Sequence, residues 1–220
     1  MRQATKERAI DYPVAVDNDY GIWNAFANHY WPALYFVDAD GLIRDHHFGE
    51  GRYDESERVI QRLLGVDGEL LSVEALGVEA QADWDHLYTP ETYLGFARRE
   101  RSASRDALRL NHWALAGEWT IGPENVVLDR AGGSIAYRFH ARDAHLVLSR
   151  GAREPIPFRV LLDGEAPGPS GGVDVDEDGN GVLRDGRMYQ LVRQHDAVRE
   201  QTLEITFLEP GTEAYAFTFG

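Results

Sequence analysis

The sharpest chemical pattern in this 220-residue chain is Asp174-x-Asp176-x-Asp178-Gly179-Asn180, with Asp185 further on. Carboxylates at alternate positions followed by glycine match the opening of a calcium loop, where oxygens converge on Ca²⁺. An EF-hand loop closes with a bidentate glutamate between two helices. Here Asp185 is shorter, and Pro167–Gly172 and Val182–Tyr189 read as glycine-rich loop and strand. Two readings stand: a structural Ca²⁺ site built from Asp174, Asp176, Asp178 and Asp185, or an acidic hairpin loop without an ion. Trp113 and Trp119 offer a second kind of chemistry, a sugar or partner platform, because the C–H face of a pyranose packs on aromatic rings. The competing reading puts both rings in a core, where large aromatics usually lie. His46 and His47 are adjacent on an expected strand and so face opposite sides, which prevents joint chelation of one ion. Asp17, Asn18 and Asp19 sit at a strand-to-helix junction, where acids cap helices.

What is missing narrows the chemistry further. There is no cysteine at any position, which excludes disulfides, thiolate nucleophiles and cysteine-ligated metal. No Ser-His-Asp or P-loop pattern appears. A net charge of −15, from 37 acidic and 22 basic residues, disfavours nucleic acid and anionic membrane surfaces. No apolar run reaches the roughly 20 residues that span a bilayer, and the opening MRQATKERAI lacks the apolar stretch of a signal peptide.

The elements that would position these residues fall into two styles. Residues 4–10 read as a helix tail and Val14–Val16 as a short strand. Asn18 or Asp19 would cap a helix carrying Ile22, Trp23, Phe26 and Tyr30 at helical spacing. Ala33–Val37 is a strand-length apolar run. Asp40-Gly41 is a hairpin turn signal leading into the alternating Leu42–Phe48. Asp54 and Glu57 suggest a capping box, and Val59, Ile60, Leu63 and Leu64 the buried face of the next helix. This order, over residues 1–66, is the C-terminal part of a thioredoxin-like α/β fold. Residues 67–110 read as a connector with short helices, one of them starting at Thr89-Pro90-Glu91.

From residue 111 to 220 the period becomes two. Ile135, Tyr137 and Phe139 alternate with Ala136, Arg138 and His140. Phe158, Val160 and Leu162 follow, then Leu203, Ile205 and Phe207, then Tyr215, Phe217 and Phe219. Turn signals at Gly132-Gly133, Asp163-Gly164, Asp178-Gly179 and Pro210-Gly211 separate the runs. Roughly eight to ten short strands of this kind predict an antiparallel β-sandwich or jelly roll.

The segments YPVAVDNDYGIWNAF (12–26), YWPALYFVDADGLIRDHHFGEG (30–51) and YDESERVIQRLL (53–64) resemble DipZ-type, TlpA-like redoxins. The resemblance continues through TPETYLGFAR (89–98), WALAGEWTI (113–121), RFHARDAHLVL (138–148), VLLDGE (160–165), GVDVDEDGNGVL (172–183) and YAFTFG (215–220). It implies a thioredoxin-like domain followed by a sandwich similar to carbohydrate-binding modules, in an extracytoplasmic setting (periplasm or cell envelope). It implies that Pro32 is the cis-proline of a redoxin substrate groove, with Trp31 before it. It also implies that the family's Cys-x-x-Cys, with two strands and a helix, belongs upstream of the matching segments.

Two functions of different class follow. One is a binding or interaction protein that recognises a glycan or a protein surface. The other is the C-terminal part of a thiol–disulfide oxidoreductase whose dithiol segment is absent from this chain. A sheet this short also leaves an open edge, which would recruit a second copy as a homodimer.

Overall fold

The computed structural model describes residues 5–6, 9–49, 51–71, 82–151 and 154–220. It divides into two compact units, Met1–Val73 and Glu74–Gly220. Residues 4, 7 and 8 of the expected helix tail and residues 72–81 of the expected connector lie outside the described residues.

The first unit is built on a hairpin, β1 (Ala33–Val37) and β2 (Ile43–Phe48), paired antiparallel with Ala33 opposite Phe48. Asp38 closes the turn: its Oδ1 accepts the Asp40 N–H at 2.9 Å and the Leu42 N–H at 3.0 Å. The helix Tyr53–Leu64 follows. It does not use the expected capping box, because Arg52 in the left-handed region precedes it with no side-chain cap. Glu57 instead accepts the Leu71 N–H at 3.0 Å. Of the four apolar residues expected to be buried, only Val59 is; Ile60, Leu63 and Leu64 are exposed. Two strands present too little surface to cover more of a helix face.

Two more expectations in this unit change. Val14–Val16 forms no strand, and Val14 and Val16 are exposed. The short helix Gly21–Ala25 is capped by Asp17 rather than Asn18 or Asp19, through the Ile22 N–H at 2.9 Å and the Trp23 N–H at 2.8 Å. Those two bonds, the Trp23 one first, hold the Asp17 carboxyl below its ordinary pKa.

The second unit is a sandwich of two antiparallel sheets. One runs β10 (Asn180–Leu183), β9 (Ile156–Leu162), β12 (Gln201–Phe207), β7 (Ser134–Phe139), β4 (Trp113–Ala116). The other runs β11 (Arg187–Arg193), β8 (Asp143–Ser149), β13 (Glu213–Phe219), β6 (Val126–Leu128), β5 (Trp119–Ile121), and β3 (Thr92–Tyr93) also pairs with β13. The expected alternation holds on the first sheet. Ile135, Tyr137, Phe139, Phe158, Val160, Leu162, Leu203, Ile205 and Phe207 all join one core with Leu146, Leu148, Tyr189 and Phe217 of the second. Rings meet across the layers, Tyr137 against Phe217 at 4.9 Å and Phe158 against Tyr189 at 6.2 Å between centroids.

The expected connector does not end at residue 110. Leu94 is fully buried in the sandwich core, and Thr92–Tyr93 is a strand rather than part of a helix begun at Thr89. Thr89 is itself buried, with its Oγ1 accepting the His140 N–H at 2.7 Å. Helical N-cap chemistry and this loop-to-strand bond use the same hydroxyl, and the strand partner on β13 decides between them.

Among the described residues, no helix is long and apolar enough to cross a membrane.

Candidate functional site

The Trp31–Pro32 peptide bond is cis. Asn28, one of few buried polar groups among the described residues of the first unit, sets the approach to it. Its Nδ2 donates to the Tyr30 carbonyl at 2.8 Å, while its Oδ1 accepts from the Tyr35 hydroxyl at 3.1 Å and the Tyr30 N–H at 3.3 Å. The Tyr30 ring stacks on Phe48 at 4.7 Å, and the Gly49 N–H donates to the Pro32 carbonyl at 2.9 Å. Both sides of Pro32 are therefore tied to the hairpin, and Trp31 stands 84% exposed. Nothing in the spacing of Asn28 marked it beforehand. On β2 the two histidines separate as alternation requires: His47 Nδ1 lies 3.2 Å from the Ser56 hydroxyl, and His46 is exposed against Phe48.

The acidic loop spends its carboxylates on the protein. Asp174 Oδ2 accepts the Gln190 N–H at 2.9 Å and the Arg187 guanidinium at 3.0 Å. Asp176 Oδ1 accepts the Asn180 N–H at 2.7 Å, the main reason its carboxyl is held below its ordinary pKa. Asp178 is exposed. Asp185 contributes backbone, its carbonyl accepting from the Tyr189 hydroxyl at 2.8 Å. The expected convergence of Asp174, Asp176, Asp178 and Asp185 does not form, and among the described residues no three His, Asp or Glu side chains are grouped to hold a metal ion. Gly179 is fixed by contact instead: at φ +88°, a Cβ there would lie 2.1 Å from the Val160 carbonyl oxygen.

The tryptophan pair also divides. Trp113 is fully buried, with its Nε1–H on the Glu100 carbonyl at 2.8 Å and the Arg99 guanidinium 4.9 Å from its ring. Trp119 is half-buried, its Nε1–H on the Ala116 carbonyl at 2.9 Å and its ring edge-on to Phe207. Trp113 therefore offers no face to a ligand.

An aromatic cleft lies elsewhere in the sandwich. It has a volume of about 380 Å³ and is lined by Tyr93, Tyr215, Val147, Arg98, Glu91 and Glu124, among others. A bulge in β13 makes it. The pairing with β8 shifts between Ala214 and Ala216, so Ala214 and Phe217 both join the core while Tyr215 between them does not. Bulges re-aim side chains in this way. Strand β3 then lays Tyr93 opposite Ala216. Gly95 holds the wall close, since a Cβ there would lie 2.3 Å from the Glu124 backbone.

Charge in the cleft is mixed. The Arg98 guanidinium carbon lies 3.4 Å from the Tyr93 ring centroid. Burial first, then a hydrogen bond with Glu91, pushes the Tyr93 phenol above its ordinary pKa. Burial, then Glu213, does the same for Tyr215, whose hydroxyl donates to Glu213 Oε2 at 2.8 Å. Both phenols thus stay protonated donors beside carboxylates. Simple alternation, which placed Tyr215 on the same face as Phe217 and Phe219, could not reveal this.

Known proteins resemble this chain. Residues 89–220 match the family described as thioredoxin like C-terminal domain. The chain is 29% identical over 227 residues to Protein DipZ of Mycobacterium bovis and of Mycobacterium tuberculosis, an alignment covering 96% of this chain and 30% of each relative. It is 31% identical over 64 residues to the thiol-disulfide oxidoreductase YkuV of Bacillus subtilis, covering 29% of this chain and 43% of that one. A family two carbohydrate esterase from Clostridium thermocellum, solved with cellohexaose, shares 14% identity over 49% of this chain and 31% of its own, at a TM-score of 0.40. That last likeness is too slight to bear on fold or ligand. The chain spans about 30% of the length of the DipZ relatives. It belongs to the thioredoxin like C-terminal domain family and is a thioredoxin-like protein of the DipZ type.

Proposed function

We propose that this chain is a binding component of an extracytoplasmic DipZ-type redox protein, with a jelly-roll sandwich of the carbohydrate-binding-module kind that recognises a glycan. The observation that carries this reading is the cleft at Tyr93 and Tyr215. It offers aromatic surface, a guanidinium donor and acceptor carboxylates within one concavity, the combination that orients a polyhydroxylated ring. With no cysteine in the chain, dithiol exchange has no nucleophile here, and recognition is the role left to it. Affinity electrophoresis through gels containing soluble polysaccharides tests the reading. Retardation in at least one gel, lost in Tyr93→Ala, supports it; free migration through every gel, with and without Ca²⁺, overturns it.

A second reading has its own observation. The cis Trp31–Pro32 bond and exposed Trp31 match the substrate-facing side of a redoxin groove. On this reading the chain is part of an active thiol–disulfide oxidoreductase. The exposed apolar residues of the first unit, Ile60, Leu63 and Leu64 among them, are then the face that the dithiol-bearing segment, another protein or a second copy would cover. Sequencing the reading frame upstream of Met1 tests it: an in-frame Cys-x-x-Cys supports it and a stop codon directly upstream removes it.

A further inference from the structure

The lining of the sandwich cleft narrows the class of sugar it would take. Glu91 and Glu124 face one cation, Arg98, on a chain whose net charge is −15. Bringing a uronate, sulfate or phosphate to that lining sets like charges together, which selects against such ligands. Val147 and Ala216 supply an apolar floor of the kind that C–H faces prefer.

The position of Arg98 is the more informative feature. Its side chain is exposed, yet its guanidinium carbon sits over the Tyr93 ring. Glu91 lines the same cleft and is among the groups that raise the Tyr93 phenol above its ordinary pKa. A cation on the aromatic face with a carboxylate at the ring's polar end is a cation–π subsite with its counter-charge supplied. The chain's own arginine occupies it. Because the Arg98 side chain is exposed, an incoming cation can exchange with it.

We infer that the cleft takes a glycan unit bearing a free amino group, whose ammonium replaces the Arg98 guanidinium over Tyr93 beside Glu91 while the sugar ring covers Val147 and Tyr215. This rests on the glycan reading above and specifies its ligand. The exchange is non-covalent, one cation leaving the ring face as another arrives.

The test is calorimetric titration of the full chain at low salt with four oligosaccharides: the tetramers of glucosamine, N-acetylglucosamine, glucose (β-1,4-linked) and galacturonate. The glucosamine tetramer is expected to bind a few-fold tighter than the two neutral ones, because its ammonium regains the ring contact that Arg98 gives up and adds pairing with Glu91 and Glu124, and the galacturonate weakest. Glu91→Gln/Glu124→Gln removes the advantage of the amine, Tyr93→Ala removes binding, and Arg98→Ala tightens it a few-fold. The exposed pair Glu177→Gln/Glu209→Gln has the same charge change away from the cleft and leaves affinity unaltered. Equal loss in both glutamine pairs means general attraction to an acidic protein and overturns the inference. So does neutral or acidic sugar binding as tightly as the amine. Sugar binding that survives Tyr93→Ala overturns this site but leaves the glycan reading standing; no binding of any of the four overturns this inference, and the glycan reading falls only with free migration through every polysaccharide gel.

Discussion

The indole Nε1–H of Trp113 donates to the Glu100 carbonyl at 2.8 Å from a ring with no exposed surface. That bond decides between the two uses of a tryptophan at the start of the sandwich. A stacking platform needs an open face, whereas this ring is enclosed and its one polar group satisfied.

Trp113→Ala is therefore expected to cost about 3–5 kcal/mol of unfolding free energy, the range for emptying a large aromatic site. Trp113→Phe keeps much of the packing and loses the hydrogen bond to the Glu100 carbonyl, at about 0.5–1.5 kcal/mol. Urea unfolding of the purified variants measures both. Retention of Trp113→Phe by polysaccharide gels should match that of the parent.

A second prediction concerns Asp143, which is 1% exposed on β8. Its Oδ1 accepts from Arg193 Nε at 2.7 Å and Gln190 Nε2 at 3.2 Å, and its Oδ2 from Arg142 Nε at 2.9 Å and Arg193 at 3.0 Å. Asp143→Asn leaves two guanidinium groups converging on a neutral amide. Breaking a buried pair from one side costs about 3–5 kcal/mol. A denaturation midpoint unchanged in Asp143→Asn would show that the cluster is inert.

His145 shares that face of β8 and adds a pH dependence. It is buried, its Nε2 has no hydrogen-bond partner, and it faces Asp143, Arg142, Arg193 and the Thr218 backbone. Burial is the largest cause of its lowered pKa, outweighing the pull of Asp143 in the other direction. The unfolded chain then takes up a proton near pH 6.5 that the folded chain refuses. Stability is complete above that value and falls as pH drops from there toward the lower folded pKa. Unfolding midpoints between pH 7.5 and 5.5 should decline in the parent and decline less in His145→Gln.

The acidic loop supplies a fourth. With Asp174 paired to Arg187 and Gly179 pressed on Val160, the loop is held by contacts of the chain itself. Chelator and added Ca²⁺ are expected to leave the thermal midpoint where it was. Gly179→Ala is expected to lower stability by about 1–3 kcal/mol or more, because the new methyl meets backbone at a left-handed φ. A midpoint that rises with Ca²⁺ would restore the ion-binding reading.

Much of this architecture was legible in the sequence where one physical signal acted alone. Period-two runs such as Ile135-x-Tyr137-x-Phe139 and Leu203-x-Ile205-x-Phe207 reached the core as read, because one buried face leaves no other register. Asp40-Gly41 made its hairpin for the same reason of local geometry. The failures came where a distant partner overrode a local signal. Thr89-Pro90-Glu91 has helix-start chemistry, but β13 recruited Thr92–Tyr93 as a strand. Asp54 and Glu57 have capping-box spacing, yet Glu57 is drawn to Leu71. The cleft was invisible because a single bulged residue turns Tyr215 out of its alternation, and composition carries no trace of a bulge. Asn28 was missed because its bonds reach only Tyr30 and Tyr35 and follow no motif.

Backbone amide shifts of the full chain, followed during titration with neutral and amino oligosaccharides, test most directly whether this is a glycan-binding protein. Shift changes are expected to cluster at residues 91–98, 123–124, 147 and 215–216, the walls of the cleft. A spectrum unmoved by every sugar, or changes confined to the surroundings of Trp31 and Pro32, would contradict it.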